Sequence, residues 1–193
     1  MEEDKNEEKV DLSQLSNLDF APNWNNKYAD DNQQKQINNL FNQLKTTTNY
    51  EDSKKIESKI WELWSTHPSK NNLTALLADG SFYVSQNKLE TAYETFTKAI
   101  ELDSNWAESW NKRATVFYMV GEFKKSQNDI DKVLQLEKRH FGALAGQGLV
   151  NIQLKNYEKA IESYEKAKEL YPSMRSPDIM IKQIKDLIKK QSI

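Results

Sequence analysis

Hydrophobic and small residues return every 34 positions from Leu73 to Met174, in three gapless blocks: 73–106, 107–140 and 141–174. Gly80, Ala114 and Gly148 share a small-residue position. Tyr83, Phe117 and Asn151 share the next, and Leu89, Phe123 and Tyr157 a third. Ala92, Ser126 and Ala160 are small, Phe96, Ile130 and Tyr164 bulky, Ala99, Val133 and Ala167 small again, and Leu102, Leu136 and Leu170 identical. Each block carries two runs of helical period, so each predicts two antiparallel helices. The first helices (A) are expected at about 71–85, 105–119 and 140–153, the second (B) at about 88–102, 122–136 and 156–170. Asn87 and Gly121 stand just past the first two A helices, where a left-handed residue ends a helix. Lys155 takes that place in the third block, with Asn156 beside it, which predicts a turn shifted by one residue.

Outside the blocks, Ile37, Leu40, Phe41 and Leu44 recur at i, i+3, i+4 and i+7, an amphipathic helix over about 30–45. Ile56, Ile60, Leu63 and Trp64 mark a second helix, capped by Thr48 or Asn49 and stopped at His67-Pro68. Neither fits the 34-residue frame, since Asn42 and Glu62 would fall at its bulky positions. Residues 30–68 therefore read as a helical hairpin covering the leading end of the stack, because a repeat array leaves an apolar face bare at each end. Residues 1–29 read as an acidic, polar, disordered tail. Its Leu12, Leu15, Leu18 and Phe20 form a candidate docking motif for the protein's own groove or for a partner. Ser176-Pro177-Asp178 predicts a helix start with Ser176 as cap. Residues 175–193 then form a capping helix with an Ile181, Ile184, Ile188 stripe and lysines on the far side.

The 34-residue period, the large/small alternation and Pro172 closing the third block resemble the tetratricopeptide repeat (TPR) family. Trp110–Thr115 and Arg139–Leu144 further resemble short bacterial TPR proteins of largely unassigned function. The resemblance implies an all-α, right-handed α-solenoid of three helix pairs between the N-terminal hairpin and the C-terminal capping helix. It also implies a non-catalytic scaffold or adaptor that binds a peptide or helix of a partner protein in its concave groove. The alternative is a permanent structural or assembly-factor subunit of a larger complex.

Composition narrows this further. Lys plus Arg number 27 against 29 Asp plus Glu, a net charge of −2, which is no footprint for nucleic acid. No run of about 18 apolar residues offers a membrane span. Cysteine is absent, which removes thiolate chemistry and Cys-based metal sites. The two histidines, His67 and His140, sit at helix junctions without a nucleophile or paired carboxylates at recognisable spacing. We therefore expect no enzyme, no cofactor and no metal. The compartment stays open: cytoplasmic by default, periplasmic or organellar if a targeting segment was removed.

The family's groove positions, carried over, nominate Leu77 and Ser81 in the first repeat. They nominate Glu108, Asn111, Lys112, Thr115, Tyr118 and Met119 in the second, and Gly142, Ala145, Gly146 and Leu149 in the third. The Lys/Asn clamp with which chaperone-binding relatives grip a C-terminal carboxylate would fall on Leu77, Ser81, Lys112, Gly142 and Gly146, so no clamp is expected. Gly142 and Gly146, one turn apart, should face inward and permit close backbone approach, either by a helix of the same chain or by a guest segment. Arg113 stands where the repeat prefers Leu and needs a carboxylate, with Asp129 or Asp131 as candidates.

Overall fold

The computed structural model describes the backbone of residues 25–191 and the side chains of 31–190. Among the described residues there are nine α-helices and no strand. Helices α1 (Asn25–Thr46) and α2 (Tyr50–Ser65) form the hairpin. Then come three pairs: α3 (Asn71–Ser85) with α4 (Leu89–Leu102), α5 (Ala107–Met119) with α6 (Phe123–Leu136), and α7 (Phe141–Gln153) with α8 (Tyr157–Leu170). Helix α9 (Arg175–Gln191) follows and packs on α8. The result is an all-α, right-handed solenoid in which each pair contacts the next.

Each pair is locked by one bulky residue of B on one small residue of A. A Cβ on Gly80 would run into the Phe96 ring, with Cδ1 at 2.8 Å, and one on Gly148 into the Tyr164 ring, with Cε2 at 2.5 Å. In the middle pair the smaller Ile130 shares a buried cluster with Ala114, whose methyl group fits beside it. Volume is thus conserved across repeats while identity is not: Gly with Phe, Ala with Ile, Gly with Tyr. Phe96, Ile130 and Tyr164 are all buried, as are Ala92, Ser126 and Ala160 around them. Close-packed interiors impose this complementarity, because a single methylene too many or too few is felt.

The three turns after the A helices are also equivalent. Asn87 (φ 56), Gly121 (φ 80) and Lys155 (φ 59) all adopt the left-handed conformation. The shift expected at Lys155 does not occur: the packing of α7 on α8 holds the register, and lysine accepts the strained conformation. Helix α1 begins at Asn25, so the boundary expected after residue 29 lies too late. Helix α9 begins at Arg175, one residue before the expected Ser176 cap. Asn49 does cap α2, accepting from the Asp52 N–H at 3.0 Å. The candidate motif at Leu12–Phe20 lies outside the described residues.

The hairpin departs from its expected place. It does not continue the stack ahead of α3 but lies along the edge where each B helix hands over to the next A helix. Trp106 Nε1 donates to the Trp64 carbonyl at 3.0 Å. The His140 ring stacks on Trp64 with centroids 4.0 Å apart. Tyr171 Oη donates to Glu57 at 3.1 Å, and Arg139 Nη1 to Asn38 at 2.8 Å. Ile37, Phe41, Leu44, Ile60 and Trp64 of the hairpin form one buried cluster with Phe141 and Tyr171 of the stack, and Met174 packs against it. Trp106, His140 and Met174, the residues closing the three blocks, therefore all meet the hairpin.

Candidate functional site

Helices α5, α6 and α7 line an open pocket of about 100 Å³. Asn111, Ala114, Thr115 and Tyr118 line it from α5, Ser126 and Ile130 from α6, and Gly142, Gly146, Leu149 and Val150 from α7. Residues i, i+3/i+4 and i+7 of one helix share a face, which is why Asn111, Thr115 and Tyr118 converge. The structure thus brings together Asn111, Thr115, Tyr118, Gly142, Gly146 and Leu149 of the residues nominated by sequence.

The others lie elsewhere. Leu77 is 2% exposed in the core of the first repeat, against Leu73, Leu76 and Phe96, so its nomination as a groove residue is corrected. The Ser81 hydroxyl donates back to the Leu77 carbonyl at 2.9 Å. Ala145 packs against the Tyr164 and Ile184 cluster. Met119 is 46% exposed but outside the pocket lining. Sequence reasoning missed the pocket's back wall, Ala114, Ser126, Ile130 and Val150. The repeat spacing had already assigned Ala114 and Ile130 to the interior of their pair, and a wall exposed only through a neighbour's missing side chain has no signal of its own.

The four glycines inside helices divide by what they face. Gly80 and Gly148 carry bulky rings of their own repeat. Gly142 carries the hairpin: a Cβ there would collide with the Trp61 ring, with Cζ2 at 2.7 Å. Gly146 is different. A Cβ there would meet only Ile130 Cδ1, at an ordinary 3.7 Å. Packing among the described residues explains three glycines and leaves Gly146, in the pocket lining, without a neighbour that requires it.

Glu108 and Lys112 belong to a buried polar node beneath the hairpin. His140 caps α7 by accepting the Ala143 N–H on Nδ1 at 3.0 Å, so its Nε2 carries the proton and donates to Glu108 Oε2 at 2.9 Å. Asn111 Nδ2 donates to the same oxygen at 3.1 Å, and the Lys112 ammonium stands 3.3 Å from Oε1. Burial alone would push the Glu108 carboxyl up. The hydrogen bond from His140, with the Lys112 ammonium, outweighs it and holds it below its ordinary value. Glu108 is therefore a structural anchor and not an inward-facing contact for a guest.

His67 repeats the device. Its Nδ1 accepts from the Ser69 and Lys70 N–H groups, and Nε2 pairs with Asp103 at 3.0 Å. That hydrogen bond chiefly holds Asp103 below its ordinary value. A second cavity, of about 260 Å³, lies between the hairpin and the first two pairs. Each acid on its wall already has a partner: Asp103 has His67, Glu108 has His140 and Glu137 has Arg139.

Arg113 is settled as a structural ion pair. Nε and Nη2 both reach Asp129 at 2.8 Å, Nη1 reaches the Thr97 hydroxyl at 3.3 Å, and the guanidinium lies 5.0 Å from the Trp110 ring. Asp131 instead takes amide donors from Gln127 and Gln147. Among the described residues no group of three or more His, Asp or Glu could hold a metal ion, and no helix is long and apolar enough to cross a membrane.

Comparison with known proteins agrees with this architecture. Residues 74–105 and 142–174 each match the family described as Tetratricopeptide repeat. A TPR repeat-containing protein of Rhizobium etli is 31% identical over 149 residues, covering 77% of this chain and 72% of its own length. DnaJ homolog subfamily C member 7 of Mus musculus is 26% identical over 109 residues, 56% of this chain but only 22% of that protein. Among solved structures, the first TPR of Spaghetti (RPAP3) bound to the HSP90 peptide SRMEEVD superposes with a TM-score of 0.59. It has 21% identity and covers 61% of this chain and 93% of that one. The Yersinia enterocolitica type III secretion chaperone SycD, in complex with a peptide of the translocator YopD, gives 0.58 at 16% identity, over 63% and 97%. At such identities the likeness is one of fold. The repeat period, the large-on-small packing of each pair and the extent of the Rhizobium match together make this chain a member of the tetratricopeptide repeat family.

Proposed function

We propose that the chain is a non-catalytic interaction module that takes a peptide or helix of a partner protein onto its inner face at the pocket between α5, α6 and α7. Gly146 carries this reading. A glycine inside a helix costs about 1 kcal/mol relative to alanine, and no contact among the described residues requires one there. A guest lying on the pocket floor does. At about 100 Å³ the pocket is smaller than the roughly 150 Å³ cavity that takes benzene. It suits one branched aliphatic side chain anchored beside Tyr118 and Leu149, with Asn111 and Thr115 at the rim. The first TPR of Spaghetti (RPAP3) holds an HSP90 peptide, and the secretion chaperone SycD, similar in fold, holds a YopD peptide.

No carboxylate clamp features in the proposed site. Leu77 is buried, Lys112 is engaged with Glu108, and Gly142 lies under Trp61. An apolar anchor, not a terminal carboxylate, supplies the affinity.

A photoreactive crosslinker placed at Leu149 and, as control, at Glu165 on α8 tests this in the native host. The partner should crosslink from Leu149 and not from Glu165. Gly146→Trp, which fills the pocket, should abolish the crosslink with helicity unchanged. Crosslinks that persist in Gly146→Trp, or that come mainly from Glu165, overturn the proposal.

A further inference from the structure

The junction between the first two repeat pairs and the junction between the last two carry different chemistry at the same place. At the 34-residue spacing, Thr97, Arg113 and Asp129 of the first are equivalent to Asp131, Gln147 and Ser163 of the second. In the first junction the Arg113 guanidinium bridges α4, α5 and α6. It reaches Asp129 at 2.8 Å and the Thr97 hydroxyl at 3.3 Å, and lies 5.6 Å from the Phe117 ring, which packs on Tyr93. In the second junction Gln147 stands in place of the arginine, and an open cleft of about 360 Å³ lies between α6, α7 and α8. Gln127, Asp131, Gln147, Asn151 and Ser163 line it, none of which lines the pocket between α5, α6 and α7.

The cleft is rich in hydrogen-bond acceptors. Gln127 Nε2 and Gln147 Nε2 both donate to Asp131 Oδ1, at 2.8 and 3.4 Å. Asn151 Nδ2 donates to Gln127 Oε1 at 3.1 Å, and the Ser163 hydroxyl to Gln147 Oε1 at 2.9 Å. The amide donors are thus turned on groups of the cleft itself, while each amide oxygen keeps a second lone pair and a carboxylate offers about four acceptor sites. Among the described residues Asp131 receives these two amide N–H groups and no cation. Asn151 and Ser163 are buried, so the floor of the cleft is held in place.

We propose that this cleft takes the guanidinium of an arginine side chain from a partner protein, standing where Arg113 stands in the preceding junction, with Asp131 as its counter-charge. The cleft is larger than the roughly 150 Å³ cavity that takes benzene, so a flat guanidinium enters with its alkyl stem. The rigid fork of N–H donors suits a carboxylate flanked by amide oxygens. Gln127 and Asn151 replace the Tyr93 and Phe117 rings of the first junction, so hydrogen bonds take over from ring contact. An ammonium is a point charge without a plane and meets fewer of these acceptors. Two lysines stand on the rim. Lys166 is paired with Glu162 at 2.7 Å. Lys159 is equivalent to Lys125, which lies over the same Phe117 ring as Arg113, so a lysine at this position already coexists with a guanidinium.

Titration of the full chain with N-acetyl-L-arginine amide, followed by NMR, tests the assignment. The side-chain amide signals of Gln127, Gln147 and Asn151 should shift and saturate in the millimolar range. N-acetyl-L-lysine amide should bind at least about fivefold more weakly. Asp131→Asn, an exposed change, should weaken the arginine probe about tenfold. Gln147→Arg with Ser163→Asp, which rebuilds the first junction's ion pair inside the cleft, should abolish binding. Gly146→Trp should leave binding intact, which separates this cleft from the peptide pocket. Absence of shifts at those three amides overturns the proposal. So does equal binding of the lysine probe, binding unchanged in Asp131→Asn or in the double variant, or loss of binding in Gly146→Trp. Free L-arginine binding at least about tenfold tighter than the capped amide overturns a protein side chain as the source.

Discussion

Gly142 and Gly146 sit one turn apart on α7, and replacing each by alanine should have opposite effects. The intrinsic gain is common to both, about 1 kcal/mol for leaving glycine in a helix interior. At Gly146 the new methyl group meets only Ile130 Cδ1 at 3.7 Å, so the gain stands. The melting temperature should rise by about 2–4 °C for a domain of this size. At Gly142 the methyl group enters the Trp61 ring. That ring is held edge-on by Trp64, His140 and Phe141 at centroid distances of 5.4, 5.4 and 5.5 Å, so it cannot tilt away freely. Overpacking of this kind costs about 1–3 kcal/mol, and because the helix gain cancels between the two variants, their difference measures it directly. Urea unfolding of both proteins gives that difference. Adding Trp61→Phe, which removes the part of the indole that collides, should restore most of the loss in Gly142→Ala. Equal stabilisation by both substitutions would refute the reasoning, because the hairpin could then not be resting on α7.

Three further outcomes follow from the buried polar groups. Glu108 and Asp103 are both held below their ordinary values, 4.5 and 3.8, so each adds stability above that value that is lost as pH falls through its lower folded one. The urea midpoint should therefore drop in acid below about pH 4.5, and Glu108→Gln, whose amide oxygen still accepts from His140, should make that fall shallower. Arg113→Leu should cost about 3–5 kcal/mol by leaving Asp129 buried and unpaired, and Arg113→Leu with Asp129→Leu should recover most of it in a double-mutant cycle. The Tyr164 hydroxyl is buried without a hydrogen-bond partner among the described residues, and its ionisation is pushed up to about 12 by burial. Tyr164→Phe should thus raise stability by about 1 kcal/mol in calorimetry, where a loss would reveal a partner for that hydroxyl.

Phe96, Ile130 and Tyr164, with the small residues opposite them, were legible from spacing alone. The contact between helices A and B joins residues close in the chain, so large/small alternation at a fixed period records it directly. The same holds for the left-handed turns at Asn87 and Gly121. Lys155 misled because residue type suggested a shifted turn, while the packing of two whole helices fixes the register at a cost in local strain. Arg113 and Asp129 were legible for a similar reason: a charge at a half-buried repeat position needs a partner on the neighbouring helix.

The hairpin was not legible in this way. Ile37, Phe41, Ile60 and Trp64 announce that α1 and α2 bury a face, but an apolar stripe carries no address for the surface it will meet. Tertiary packing chose the junction edge, and that choice turned Glu108 from a groove residue into an anchor and set Gly142 under Trp61. It left Gly146 open. What the sequence by itself determined is the repeating pair, because its contacts are local. What only the tertiary structure decided is which repeat faces remain free, because that depends on where an element more than thirty residues away comes to rest.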